Sequence, residues 1–247
     1  MRFRLCLFLL VLLVSHQVEA FDKNYGTEAE IPEPLLFDLV RRINSDKNEL
    51  EINTIVIQHQ HNEFGRVYIA PEIEYAFADG MAIEFELPVE EGKIKSYKSA
   101  LQVHVPTIIG EINGFQLIYE KANNSTVQKV TPLFLIGKHI SGKWSTISMV
   151  GSQLVYGKKP AEEKNDLLEL PILNVNIFYD YADMVDIGCE MNLRGVEAGH
   201  RELIMMPQMH SLIGEDFKTQ FGFGTSYDGK EFSTLSAFRL IKEFNSM

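Results

Sequence analysis

The chain has 247 residues, 45% of them apolar, with 23 Lys+Arg against 34 Asp+Glu and a formal net charge of −11. Acidity on this scale, with no polybasic tract, lacks the positive footprint that phosphate-backbone binding requires, so nucleic acid is excluded as a partner. Ordinary apolar content with 17 Gly and 9 Pro excludes collagen-like, low-complexity and disordered chains.

Arg2 and Arg4 precede an apolar run over 5–14, and Val18-Glu19-Ala20 sets small residues at the two positions a signal peptidase reads. This predicts a signal peptide over 1–20, cleaved before Phe21. The apolar run is shorter than the roughly 20 residues needed to span hydrocarbon as a helix. Cys6 leaves with it, and Cys189 remains as the single cysteine, so no intramolecular disulfide is available.

Residues 21–48 are polar, acidic and Pro-bearing, the composition of a periplasmic N-terminal segment. Within it Leu35, Leu36, Leu39, Val40 and Ile43 fall at helical spacing and predict a short helix over 34–43. From residue 49 to 247 the period changes to two, and about twelve strands follow, beginning near Leu50 and ending near Phe244.

In the second strand Val67, Ile69, Ile73, Tyr75 and Phe77 share one face, with Glu72, Glu74 and Ala76 on the other. In the third, Met81, Ile83, Phe85 and Leu87 alternate with Ala82, Glu84 and Glu86. Val185, Ile187, Cys189, Met191 and Leu193 alternate with Asp186, Gly188, Glu190 and Asn192 in a later one. Connections also alternate: 78–80, 141–143, 182–183 and 214–216 read as tight, whereas 61–65, 90–93, 156–166 and 195–201 read as longer and more polar. Such asymmetry belongs to an up-and-down transmembrane barrel with short periplasmic turns and longer outer loops.

Matching apolar to apolar across the first tight turn pairs Phe77 with Met81, Tyr75 with Ile83 and Ile73 with Phe85. Ala78, Asp79 and Gly80 are left as a three-residue loop with Gly80 left-handed. Tyr75, Phe77, Trp144, Tyr179, Tyr181, Phe217 and Phe244 all fall near periplasmic strand ends and form one aromatic girdle. The competing all-β architecture is a soluble secreted barrel or sandwich, a lipocalin-type binding protein whose oily faces pack on one another.

The opening Asn48-Glu49-Leu50-Glu51-Ile52-Asn53 and the run from Ile73-Glu74-Tyr75-Ala76-Phe77 through Glu84-Phe85-Glu86-Leu87-Pro88 resemble the start of transporter-like bacterial outer-membrane barrels of the phenol meta-pathway type. The closing Phe238-Arg239-Leu240-Ile241-Lys242-Glu243-Phe244 is similar to a terminal strand whose aromatic is read by the barrel-assembly machinery, although here Asn245 to Met247 follow that aromatic. The resemblance implies an outer-membrane barrel in contact with lipid, with channel or uptake roles. It carries no catalytic motif.

Pairing Glu74 with Glu84 and Glu72 with Glu86 sets four carboxylates on one wet wall, and like charges directly opposite one another require compensation. Lys98 on the fourth strand and Arg239 on the last face the same way. These six residues are the candidate lumen lining: either a cation-favouring pore or a salt-bridged filling of a narrow barrel. His59 and His61 share a strand face and have ligating chemistry, and Met205, Met206 and Met209 lie on another strand, but the latter span both faces. Neither a metal nor a cofactor is expected. His210 and Ser211 are sequence neighbours, which sends them to opposite faces of a strand, so no nucleophile pair forms and the chain is not expected to be an enzyme. The glycines of Phe221-Gly222-Phe223-Gly224 fall on the wet face and read as room for bulky lumen neighbours. The function expected is passage of a small solute, unidentified from sequence; the alternatives are a non-conducting structural outer-membrane barrel or the soluble binding protein.

Overall fold

A computed structural model describes residues 31–244 except Asp38, Asn44, 62–63, 158–167, Asp183, 196–200 and 214–216. The signal peptide expected over 1–20, the first ten residues of the segment expected over 21–48, and all or part of the expected connections at 61–65, 156–166, 182–183, 195–201 and 214–216 lie outside these residues.

Among the described residues the chain forms strands β1 (Leu50–His61), β2 (Phe64–Ala78), β3 (Met81–Glu86), β4 (Val89–Glu90), β5 (Lys93–Ile94), β6 (Ser96–Val105), β7 (Ile112–Ala122), β8 (Gln128–Ser141), β9 (Trp144–Tyr156), β10 (Leu168–Ala182), β11 (Val185–Gly195), β12 (Arg201–Ile213), β13 (Phe217–Tyr227) and β14 (Phe232–Phe244). Every pairing is antiparallel. The two-residue strands β4 and β5 are the tip of the β3–β6 hairpin beyond Pro88, so the sheet is a barrel of twelve full strands. β1 pairs with both β2 and β14, the latter from Leu50↔Phe244 to Gln60↔Thr234, and the cylinder closes. Closure pairs each of the twelve full strands on both sides among the described residues. The sandwich weighed from sequence does not form, because one sheet meets itself.

The faces alternate as expected. Ile52, Ile69, Ile73, Phe85, Leu117, Val150, Ile187, Phe221 and Leu240 are exposed on the outer surface, while Ala70, Glu72, Glu74, Ala76, Glu84, Asn174, Glu190 and Arg239 are buried within. An apolar exterior over a polar interior is the polarity of a barrel in lipid. The aromatic girdle is present at the end carrying both barrel termini: Tyr75, Phe77, Trp144, Tyr181, Phe217 and Phe244 are exposed there. Trp144 packs on Tyr179 with ring centroids 4.8 Å apart. Lys242 lies over the rings of Phe217 and Phe244 at 4.6 and 5.5 Å.

The first hairpin departs from its expected register at one place. Tyr75 pairs with Ile83 and Ile73 with Phe85, but Ala78, not Phe77, faces Met81, and a bulge lies between Ala76 and Ala78. The extra residue in the bulge is Phe77, which shortens the turn to Asp79-Gly80. Gly80 has φ +67°, and its N–H donates to the Ser45 carbonyl at 2.8 Å.

Connection lengths also differ from expectation. The 90–93 link is a tight turn at Glu91-Gly92, both with positive φ. The 106–111 link, at the end with the tight turns, is longer and is organised by Asn113, whose Oδ1 accepts from the backbone N–H groups of Ile108 and Ile109 at 2.5 and 3.0 Å.

The described residues from Ile31 to Ser45 lie inside the barrel, and Asp46, Lys47 and Asn48 are exposed where the chain turns into β1. The described residues of 34–43 form bends and a turn instead of the helix expected there. A helix would gather Leu35, Leu39, Val40 and Ile43 onto one stripe, but the lumen surrounds this segment with wall on every side. Leu35 packs on Ile55, Ala70, Met206, Leu235 and Ala237. Leu39 and Ile43 pack on Leu135, Ile147, Met149 and Phe178. Val40 packs on Ala76, Ala82 and Ala100. An eight-stranded barrel is filled by its own side chains and one of sixteen strands leaves a water channel; twelve leave room that one extended segment occupies.

Candidate functional site

The lumen is polar where residues 31–48 cross it, because a backbone in bends cannot satisfy its own amides and carbonyls. The wall supplies partners. Gln208 Oε1 accepts from the Leu35 N–H at 3.0 Å, and the two carboxylate oxygens of Glu190 accept from Leu36 and Phe37 at 2.9 and 2.8 Å. Gln102 Nε2 donates to the Arg41 carbonyl at 2.6 Å and Gln220 Nε2 to that of Glu33 at 3.3 Å. Glu190 is itself oriented by Asn174 and Asn192, whose amides donate to its Oε1 at 3.0 and 2.8 Å.

Beside this cradle runs the glutamate wall. Glu74 faces Glu84 and Glu72 faces Glu86, as the sequence pairing required. The register then extends the rows. Glu51 faces both Glu243 and Glu74, so Glu243, Glu51, Glu74 and Glu84 stand in line across β14, β1, β2 and β3. A second line runs Asn53, Glu72, Glu86, Lys98, Glu120, Lys129 from β1 to β8. Glu51, Glu72, Glu74, Glu84 and Glu86 are all buried, and carboxylate oxygens of Glu72, Glu74 and Glu84 lie within 4.8 Å of one another.

Lys218 pairs with Glu243 and Lys129 with Glu120 at the ends of the rows, and three further cations offset the buried glutamates between them. Lys98 contacts Glu86 and lies 3.4 Å from Glu84. Arg239 is fully buried and faces the charges of Glu72, Glu74, Glu33 and Glu51. The third, Arg41, comes from the lumen segment: its Nη1 donates to Glu51 at 2.6 Å and its Nη2 to Glu49 at 2.8 Å, with Glu243 4.0 Å away. Arg42 adds a second contact to Glu49. Burial opposes ionisation of Glu49, but the hydrogen bonds from Arg41 and Arg42 hold its carboxyl below the ordinary range. Asn53 joins the rows, donating to Glu51 at 2.9 Å and to Glu74 at 2.7 Å.

All six candidate lining residues, Glu72, Glu74, Glu84, Glu86, Lys98 and Arg239, therefore point inward and share one region of the lumen. The sequence reading missed Arg41, Glu51, Glu190 and Gln208. Alternation had set Glu190 on the wet face, but nothing local linked it to a segment more than 150 positions earlier. His59 lies inward at the far end of β1 and joins no group of ligating side chains among the described residues; the side chain of His61 lies outside them. Met205 and Met209 face outward and Met206 inward, which keeps the three apart. Gly222 makes the room expected of it: a Cβ there would stand 2.6 Å from both Leu35 Cδ2 and Met206 Sδ.

No protein-family model matches the chain, and no curated protein matches it in sequence. Solved structures match it in shape. The NanC porin has a TM-score of 0.58 at 8% identity, covering 80% of this chain and 100% of that one. The KdgM porin has a TM-score of 0.56 at 11% identity, covering 79% and 99%. At these identities the likeness is one of fold alone: the chain is a closed twelve-stranded antiparallel transmembrane β-barrel, similar in shape to those two.

Proposed function

We propose that this protein is a channel of the bacterial outer membrane for a small solute, held closed at rest by residues 31–48, with Glu72, Glu74, Glu84, Glu86, Lys98 and Arg239 lining its path. The carrying observation is the way the segment is held. Its backbone is bound by side chains of the wall, and its Arg41 neutralises a row of wall carboxylates. Side-chain latches of this kind can be exchanged for water when the segment leaves, whereas a strand ladder cannot be opened without unfolding the sheet. Once vacated, the wall carries more carboxylates than cations and favours cations over anions.

On this reading the partners are outer-membrane lipid, the barrel-assembly machinery that reads the terminal aromatic Phe244, and the solute. The motifs at 48–53, 73–88 and 238–244 support a place among phenol meta-pathway type barrels. The porin-type fold supports the location and a role other than enzymatic. A second reading, a non-conducting structural barrel, is favoured by the same ion pairs if the segment never leaves.

Current across planar bilayers from heat-modifiable, folded full chain separates the two. Discrete openings that favour cations, with selectivity reduced in Glu74→Gln, are expected. Absence of openings from the folded chain at any applied voltage, including in variants that loosen Arg41, would establish the structural reading instead.

A further inference from the structure

We infer that the half of the lumen beyond residues 31–48, on the side away from the barrel termini, is a binding site for a small, uncharged and mostly apolar molecule. A cavity of about 280 Å³ lies there, floored by Leu36 and Phe37 of the lumen segment. Its walls are continuous with the apolar side of the lumen that packs on Leu35 and Leu39, and not with the buried glutamates. Inward positions near the termini carry Glu, Asn and Gln, but at this level Ile57, Ile118, Ile172 and Ile204 face the space. Elsewhere the lumen segment covers the inward aliphatic side chains, but here they line open space, and aliphatic surface gains by burying an apolar occupant instead of facing water.

The charge of the lining selects the ligand class. Each charged side chain that reaches the cavity is already matched within the protein: Lys98 with Glu86 and Glu84, Glu120 with Lys129 at 3.0 Å, and Arg194 with Glu202. An ionic ligand would have to break one of these pairs, whereas a neutral one leaves them intact. Gln153, Thr131 and the His59 imidazole remain as hydrogen-bonding groups that can orient a hydroxyl or carbonyl. The volume lies just below the roughly 300–1,000 Å³ of sites for drug-sized molecules, which sets the occupant at a few fused or bridged rings. Binding here does not require the barrel to conduct.

The test uses folded full chain in lipid nanodiscs, titrated calorimetrically with adamantanol and with adamantane carboxylate, empty nanodiscs serving as the blank. Saturable binding of one adamantanol per chain is expected, with the carboxylate weaker by roughly tenfold or more. Thr131→Phe and Ile118→Phe, which fill the cavity, are each expected to weaken adamantanol by a similar factor. Uptake no greater than by empty nanodiscs, equal affinity for the carboxylate, or unchanged binding in both folded variants would each overturn the inference. Should a variant fail to fold, the comparison of alcohol with carboxylate on the unsubstituted chain decides. Bilayer current does not enter these readouts, so a failure here is distinct from failure of the channel reading.

Discussion

Arg41 of the lumen segment and Glu51 of β1 form a buried ion pair, with Nη1 2.6 Å from Oε2 and both side chains almost wholly shielded from solvent. The pair joins a stretch without regular structure to the one strand that closes the barrel on both sides. Removing one partner of such a pair strands a charge in a dry site, at a cost of about 3–5 kcal/mol. Arg41→Gln is therefore expected to release residues 31–48, raising bilayer current and opening the segment to protease while the barrel remains heat-modifiable. Arg42 is about a third exposed, and Arg42→Gln is expected to cost less than about 1 kcal/mol and to leave both readouts near those of the parent.

Gly222 and Gly224 lie two residues apart on the inner face of β13, yet their substitution is expected to act through different partners. A Cβ at Gly222 meets the ends of Leu35 and Met206, which are side chains. A Cβ at Gly224 meets the Met205 carbonyl, which is backbone. Gly222→Ala is expected to loosen the seat of the segment by about 1–2 kcal/mol, and Leu35→Ala in the same chain to restore most of that loss, a coupling of contacting residues. Gly224→Ala is expected to destabilise the barrel itself, lowering the urea midpoint with no recovery from Leu35→Ala.

Alternation of period two was enough to read the strands, their faces and the pairing of Glu74 with Glu84, because in a barrel every strand sees the same two environments. The bulge at Phe77 escaped that reading: apolar matching treats Phe77 and Ala78 alike, and only backbone geometry at the Asp79-Gly80 turn decides between them. Helical spacing misled at 34–43 for a related reason. Leu35, Leu39, Val40 and Ile43 are apolar because wall surrounds the segment, and periodicity reports a stripe only where one side faces water. Contacts such as Arg41 with Glu51 or Glu190 with Leu36 depend on the segment threading the cylinder, which no local pattern encodes. An acidic leader holding five large aliphatic residues within ten positions was the one available sign that it does not sit in solvent.

Glu84 is buried opposite Glu74, and neither of its carboxylate oxygens accepts a hydrogen bond among the described residues. Lys98, 3.4 Å away, is shared with Glu86 and lies closer to that residue. Glu84→Gln removes the repulsion while leaving the Lys98–Glu86 pair in place. The variant is expected to raise folded-state stability by about 0.5–1 kcal/mol, measured as the urea midpoint for loss of the heat-modifiable form. Lys98→Met is expected to act oppositely and more strongly, because it removes the cation that Glu84 and Glu86 share and leaves Arg239 alone to offset them.

Glu33 makes the seat of the lumen segment sensitive to pH. Burial, reinforced by the nearby Glu51 on β1, pushes its carboxyl up to about 7 from an ordinary 4.5, against the lowering influence of Arg41, of Lys218 on β13 and of Arg239 on β14. When the segment leaves, the carboxyl regains water and its ordinary value. Between about pH 4.5 and 7 the seated form thus keeps a proton that the released form has lost. Proton linkage makes each rise in pH across that window favour release, with no further Glu33 effect above it. Glu49 works in the other direction: its lowered carboxyl contributes above 4.5 and loses that contribution as acid titrates it below 4.5. These two groups together hold the segment most tightly near the lower edge of the Glu33 window. Protease cleavage within residues 31–48, measured on the reconstituted chain, is expected to quicken from about pH 5 to about pH 8 after correction for the protease's own profile. Glu33→Gln, which cannot lose the proton, is expected to remove most of that increase, and an increase of unchanged size in the variant would assign the pH response to the glutamates of the wall instead.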